Sequence, residues 1–381
     1  MSAVATKKEP LTQTSTSLIE YYNEALKDID TDLSVEDLFE RRLARQFIRD
    51  RFRKEVKNVK VKKCIEMITP FRAIHTVSTF LLGLTIRNHL QFNTRNWRRL
   101  PGQKSPQGSF ILFWSWICLF HDIGYHYEEN AEKYSSIESI KDLIAYLDIE
   151  HSLLEASNNS QQIENYFKMR RNNEKPKLDH GIVGALLLFD ALMDLAKNSD
   201  QYSAIKEHKA FFVKICDTIA LHNMWRATDE TVKRYQQYDL GVLIPGNDLH
   251  HMIYYRDDEL LFLLALVDTI DPIKAFCQDG RHKSPKTAPF VLNNTYLRFI
   301  RSGVKKLVIT FEDPDFITFA NQQITSDTPL SSWLGVHIVY PEKNSGEKKQ
   351  KGKALSIAID LQGTVFKHSH SGFYETPEKS V

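Results

Sequence analysis

The pair His121-Asp122 closes an apolar run at 110–120, inside the string Phe-His-Asp-Ile-Gly. Two metal-ligating side chains at the end of a buried segment are costly unless a cation or strong hydrogen-bond partners occupy them. The fold must therefore bring such partners to this pair. The chain carries candidates in similar settings: His75 near the start of 74–90, His180 at the start of 179–197, His222 near the end of 210–225, and Asp268 within Glu259–Ile270. Each of these segments is strongly apolar and of helical length. The pattern predicts a mainly α protein in which several helices turn ligands into a shared core.

Composition sets the outer limits. At 381 residues the chain has room for one large domain and a small one, or for two domains. Its 42% hydrophobic and 26% charged content is that of a globular protein, which argues against a disordered chain. A formal charge of +2 is near balance, so the total does not imply a nucleic-acid partner. Cys64, Cys118, Cys216 and Cys277 show no Cys-x-x-Cys spacing and read as buried, reduced thiols of an intracellular protein. The polar stretch 1–16 lacks a signal core and is expected to be a disordered tail. The longest apolar runs, 110–120 and 260–270, are about half of what a bilayer crossing needs. A cytoplasmic protein with no membrane contact is the resulting expectation; its oligomeric state is open.

Along the chain, helices are expected over 17–28 and from Ser34, whose Ser-Val-Glu-Asp start is a capping signature, with helical spacing and a charged outer face through 35–59. A basic loop at 87–109 holds Arg87, Arg95, Arg98, Arg99 and Lys104. A polar region at 130–177 should contain two short helices. Asp271-Pro272 stops or restarts the last apolar helix. From 304 the texture becomes strand-like: Lys305–Phe311, 333–340 and 354–360 are β-branched with partial alternation, and 342–353 reads as a hairpin loop. The reading is a helical domain over 17–303, a small β-rich subdomain over 304–370 and a tail over 371–381.

Each histidine alone reads as a satisfied core or surface residue; the set reads as ligands. Four histidines and two aspartates suffice for two divalent metal ions, with Fe, Mn, Co, Ni and Zn all compatible. Asp122 is the natural bridge, with His75, His121 and Asp268 on one metal and His180 and His222 on the other. Such a centre activates water for attack on a phosphoryl group, and cations nearby would neutralise the phosphates. Asp122, Arg99 and Lys274 are the catalytic candidates. Arg95, Arg98, Arg170, Arg171 and Arg226 are the candidates for holding the phosphates. His126 reads as a surface or supporting residue, and His250 and His251 as surface. Asp271 is a rival to Asp268 as ligand, but its place before Pro272 suits a helix cap better.

The motifs resemble those of the HD superfamily of metal-dependent phosphohydrolases. Leu119-Phe-His-Asp-Ile-Gly124, Asp179-His-Gly-Ile-Val-Gly-Ala185, Ile219-Ala-Leu-His222 and Leu266-Val-Asp-Thr-Ile-Asp-Pro272 are similar to that family's ligand motifs in the same order. The dinuclear subset, including the bacterial symmetrical diadenosine-tetraphosphate hydrolases, is the nearest pattern, over roughly 70–275. The resemblance implies an HD-type helical bundle and hydrolysis of a phosphoester or phosphoanhydride in a nucleotide or dinucleotide. It also leaves two alternatives: a non-haem di-iron oxygenase, or a metal-bound nucleotide-sensing or defence module with little turnover. The chain departs from the pattern at Tyr125, where many members have Lys, and in its insertions at 87–109 and 129–178.

Overall fold

A computed structural model describes residues 15–90, 106–128, 131–173, 176–198, 200, 202, 209–225, 227–244, 251–276, 287–301, 304–312, 330–339 and 353–359. Arg95, Arg98, Arg99, Lys104, Arg226, His250 and Cys277, the hairpin loop through 352 and the tail 371–381 lie outside the described residues.

The chain is mainly helical, with one small antiparallel sheet. The His75 helix, Pro70–His89, starts earlier than the apolar spacing alone implies. Thr69 caps it, its Oγ1 accepting from Arg72 N at 3.3 Å, and Pro70 fits the first helical position, where no N–H is needed. This helix is buried along almost its whole length. Arg87, read from sequence as the start of a basic loop, instead lies in its last turn and is 2% exposed.

The His121 helix, Pro106–Phe120, packs beside it, and both contact the Asp268 helix, Glu259–Ile270. That last helix is apolar all round and buried from Leu260 to Ile270, so it runs through the core. Asp258 caps its start, Oδ1 accepting from Leu261 N at 3.0 Å. Pro272 ends it by forcing Asp271 into extended backbone. The His180 helix, His180–Asn198, lies against Lys209–Leu221, which also touches the His121 and Asp268 helices. Lys209–Leu221 stops one residue short of His222, which sits in the following turn.

The expected single helical texture over 35–59 is broken into Val35–Leu38, Arg41–Arg51 and a 3-10 turn at Glu55–Lys57, after which Val59–Met67 begins on an Asn58 cap. The polar region does hold two short helices, Ile140–Leu147 and Ser160–Arg171.

The sheet has the order β1-β2-β3-β5-β4, with β1 Thr16–Ser17, β2 Thr295–Ile300, β3 Lys305–Phe311, β4 Val336–Val339 and β5 Lys353–Ile359. It reaches beyond 304–370, because β2 and β1 both belong to it. Alternate residues of β2 are buried, and Leu297↔Ile309 and Phe299↔Leu307 are paired across to β3. Only the second half of the expected strand 333–340 is extended, since Leu330–Trp333 forms a helical turn. β2 packs on the helices Leu18–Leu26 and Ala288–Asn293, and Phe299 stacks on His89 at 5.0 Å between ring centroids. His89 ends the His75 helix, so at 1.5 Å per residue this contact is about 21 Å from His75. Among the described residues, no helix is long and apolar enough to cross a membrane, and Cys64, Cys118 and Cys216 are buried and free.

Candidate metal centre

His75, His121 and Asp268 meet in the core, each offering a ligand atom within 4.8 Å of the others. His75 Nε2 is 3.0 Å from Asp268 Oδ1. His121 Nε2 lies 3.5 Å from the same oxygen and 3.2 Å from Asp122 Oδ1. All three residues are less than 4% exposed. This group can hold a metal ion.

The tautomer of His121 makes the case for a cation. Its Nδ1 is 2.7 Å from Cys118 O, a carbonyl that can only accept, so Nδ1 carries the hydrogen. In the neutral ring Nε2 is then a bare lone pair. It is buried, has no hydrogen-bond partner and faces two carboxylates. Acceptors turned toward one another in a dry core repel unless a positive charge lies among them.

His75 is arranged differently. Its Nδ1 is 2.7 Å from Asp271 Oδ2, so both ring nitrogens meet carboxylates. Burial pushes its pKa down, but the hydrogen bonds to Asp268 and Asp271 and the charge of Asp122 raise it to about 9. A metal at Nε2 would replace one of these protons and leave Nδ1–H on Asp271, the carboxylate–histidine arrangement common around metals. Burial opposes ionisation of Asp122 and Asp268. Asp122 is nevertheless held low by Arg72 and His75, and Asp268 by Lys274 and His75.

The remaining histidines lie next to this group, His180 against Asp122 and His222 between the His121 and His180 rings. His180 Nε2 is 3.9 Å from Asp122 Oδ1. Ring centroids are 5.4 Å apart for His75 and His121, 5.5 Å for His121 and His222, and 5.3 Å for His222 and His180. His222 Nδ1 donates to Ile219 O at 2.6 Å. Burial lowers its pKa to about 3, so its ring is neutral. His180 Nδ1 is 2.7 Å from Glu128 Oε2, which makes Glu128 its orienting partner. Burial raises the Glu128 pKa, but the hydrogen bond and charge of His180 outweigh it and hold Glu128 ionised. Asp179 caps the His180 helix, Oδ1 accepting from Ile182 N at 3.1 Å.

Of the six expected ligands, His75, His121 and Asp268 form a group that could hold a metal ion, Asp122 lies against them, and the His180 and His222 rings lie next to one another beyond. Lys274 joins the first group, with Nζ 2.6 Å from Asp268 Oδ1. Arg171 does not: its Nη2 donates to Tyr134 O and Ser135 O, both at 3.2 Å, so it ties down a loop. Its neighbour Arg170 instead pairs with Glu128 Oε1 at 3.1 Å and lines a cavity of about 250 Å³ beside His180. A larger groove, about 830 Å³, is lined by Lys54, Lys57, Lys60, Asp190 and Asp194 and holds none of the ligands. His126 and His251 are exposed, as expected.

Two residues, Arg72 and Glu128, escaped the sequence reading of the centre. Arg72 Nη1 pairs with Asp122 Oδ2 at 3.1 Å, and its guanidinium lies 3.4 Å over the Tyr125 ring. Its position one helical turn before His75 was the available signal. Glu128 had no local signal, since its partner His180 is distant in sequence. Asp271, weighed as a ligand or cap, is a cap that also holds His75: its Oδ1 accepts from Ile273 N at 3.1 Å. Comparisons of the chain with protein-family models, with curated proteins and with solved structures find no match.

Proposed function

We propose that this protein is an HD-type metal-dependent phosphohydrolase that cleaves a phosphoester or phosphoanhydride of a nucleotide or dinucleotide. The observation that carries this reading is the unpaired, buried Nε2 of His121 facing Asp122 and Asp268, beside the rings of His75 and His222. Two divalent metals (Fe, Mn, Co, Ni or Zn) fit this donor set: His75, His121 and Asp268 would hold one, His180 and His222 the other, with Asp122 available to both. When bound, such metals lower the pKa of a coordinated water toward neutrality and neutralise phosphoryl oxygens.

The chain's own groups have distinct tasks. Asp271 and Glu128 fix the ring orientation of His75 and His180. Arg72 and Lys274, now paired with Asp122 and Asp268, are the cations nearest the centre and can turn to substrate oxygens when those carboxylates serve metals. Tyr125 holds Arg72 on one face and stacks on His180 with the other, at 3.8 Å between ring centroids. The buried helices around the ligands exclude bulk water, which strengthens each of these charge interactions.

The test is product analysis with Mn- or Fe-loaded protein and a panel of mono-, di-, cyclic and dinucleoside phosphates, beside Asp122→Ala. Release of phosphate or nucleotide by the wild type alone is expected. Equal release by Asp122→Ala overturns the reading. So does oxygen consumption by the iron-loaded protein without hydrolysis, or nucleotide binding with no turnover.

A further inference from the structure

The helix Arg41–Arg51 packs on the His75 helix, with Ala44, Phe47 and Ile48 buried, and turns a one-sided charge outward. It holds five arginines against one aspartate, while the whole chain carries only +2. Arg51 is used inward, its Nε donating to Ser115 Oγ at 3.0 Å. The other four, Arg41, Arg42, Arg45 and Arg49, line a surface groove of about 550 Å³ that Pro70, the first residue of the His75 helix, also lines. At about 100° per residue, these four fall within about 100° of arc around the helix. Asp50 is the single acid among the described residues lining the groove. Arg42 and Arg49 are exposed, Arg45 is half-buried, and none of the three makes an ion pair among the described residues.

This arrangement works against the fold. Arg45 lies one helical turn from each of the other three, and like charges at that spacing repel. Arg41 and Arg42 occupy the first turn, where the helix dipole disfavours cations, and neither an acid nor a side-chain cap offsets them. A face meant only for water mixes both signs. An anion in the groove relieves all of these repulsions together, and the wall defines its chemistry. Guanidinium groups bind phosphate oxygens in pairs. Arg41, Arg45 and Arg49 recur every four residues, about 6 Å along the helix, a spacing comparable to that of successive phosphates in a nucleic-acid strand. An acidic protein would bring apolar side chains as well as charge, yet among the described residues lining the groove Pro70 alone is apolar. None of them is aromatic, so unstacked bases would find no ring to stack on, whereas a duplex keeps its bases inside and presents its phosphates. We infer that this groove docks the phosphate backbone of a nucleic-acid duplex, without reading its sequence. The inference needs no metal and stands apart from the phosphohydrolase reading.

The test is fluorescence anisotropy with the metal-loaded full chain and a labelled DNA duplex of arbitrary sequence, beside two variants with melting curves recorded for each. One is the triple variant Arg42→Gln, Arg45→Gln, Arg49→Gln; the other is Asp122→Ala. At about 50 mM salt, binding near the micromolar range is expected, with log K falling against log salt at a slope of about −3. The triple variant should lose about tenfold or more of the affinity and most of that slope. Its melting midpoint should be no lower than that of the wild type, because repulsion along the helix is relieved. Asp122→Ala should bind the duplex as the wild type does. Unchanged affinity in the triple variant overturns the inference, as does an equal loss in Asp122→Ala, which would place the duplex at the metal centre. Displacement of the duplex by poly-glutamate at equal charge would assign the groove to an acidic protein, and tighter binding of a single strand of the same length would remove the duplex; either result overturns the inference. If the duplex binds as expected and nothing on the nucleotide panel is cleaved, the hydrolase reading fails alone.

Discussion

Asp271 Oδ2 lies 2.7 Å from His75 Nδ1, and the same carboxylate is locked by Ser78 Oγ at 2.7 Å and Ile273 N at 3.1 Å. It is fully buried, so it has no freedom to do anything but hold that ring. Asp271→Asn should leave the protein folded and weaken metal binding by about 10–100-fold, the usual effect of removing a ligand's supporting carboxylate. Titration against a competing chelator measures this; wild-type affinity in the variant removes the orienting role.

Metal uptake should expel a proton from His75. With a pKa of about 9 in the metal-free site, this ring carries two protons at pH 7, and Nε2 must lose one to bind a metal. Affinity should therefore climb by up to about tenfold per pH unit and level off above about 9. The sign for metal-free stability is opposite. A raised folded-state pKa stabilises fully below the unfolded value near 6.5, and that contribution is lost as pH rises through about 9. Calorimetry in buffers of differing ionisation enthalpy counts the released protons; a count of zero at pH 7 would show that His75 is not displaced.

Gly124 marks the closest approach of the His-Asp turn to the His180 helix. A Cβ there would lie 2.1 Å from His180 O, whereas at Gly184 the nearest atom, Phe120 O, is 3.3 Å away. Gly124→Ala must push backbone apart, costing about 1–3 kcal/mol, and it shifts His180 relative to Asp122. Gly184→Ala should be near neutral, because helix propensity offsets the tight contact. Denaturant midpoints with metal titrations check both; equal behaviour of the two variants contradicts the close-approach argument.

Arg87 ties three ligand-bearing helices together. It sits on the His75 helix, pairs through Nε with Glu259 Oε1 of the Asp268 helix at 3.2 Å, and lies 3.6 Å over the Phe110 ring of the His121 helix. Arg87→Ala takes the cation away from a largely buried carboxylate and should cost about 3–5 kcal/mol. Arg87→Ala with Glu259→Gln should cost clearly less than the two single changes added together. Strict additivity in denaturant melts would mean the pair is not coupled.

How much was legible depends on the range of the interaction. Glu259–Ile270 and Lys305–Phe311 have the bounds read from sequence, because an unbroken apolar run with a cap and a proline, or a β-branched run, is decided by near neighbours. The strand Thr295–Ile300 was missed because its alternation is carried by Thr, Leu and Phe, and its identity depends on pairing with Lys305–Phe311. Arg87 was read as loop because its charge suggests solvent, and only a distant glutamate and an aromatic face make its burial affordable.

By itself the sequence determined the mainly helical class and singled out His75, His121 and Asp268, the buried group that could hold a metal ion, since ligand type and position within apolar segments are local properties. Only the tertiary structure decided which neighbours support them. Arg72 on Asp122, Glu128 on His180 and Asp271 on His75 are choices of geometry, and so is the turning of Arg170 rather than Arg171 toward His180. Adjacent residues on a helix point about 100° apart, so which of two neighbouring arginines reaches a site is set by how the helix is rotated in its packing.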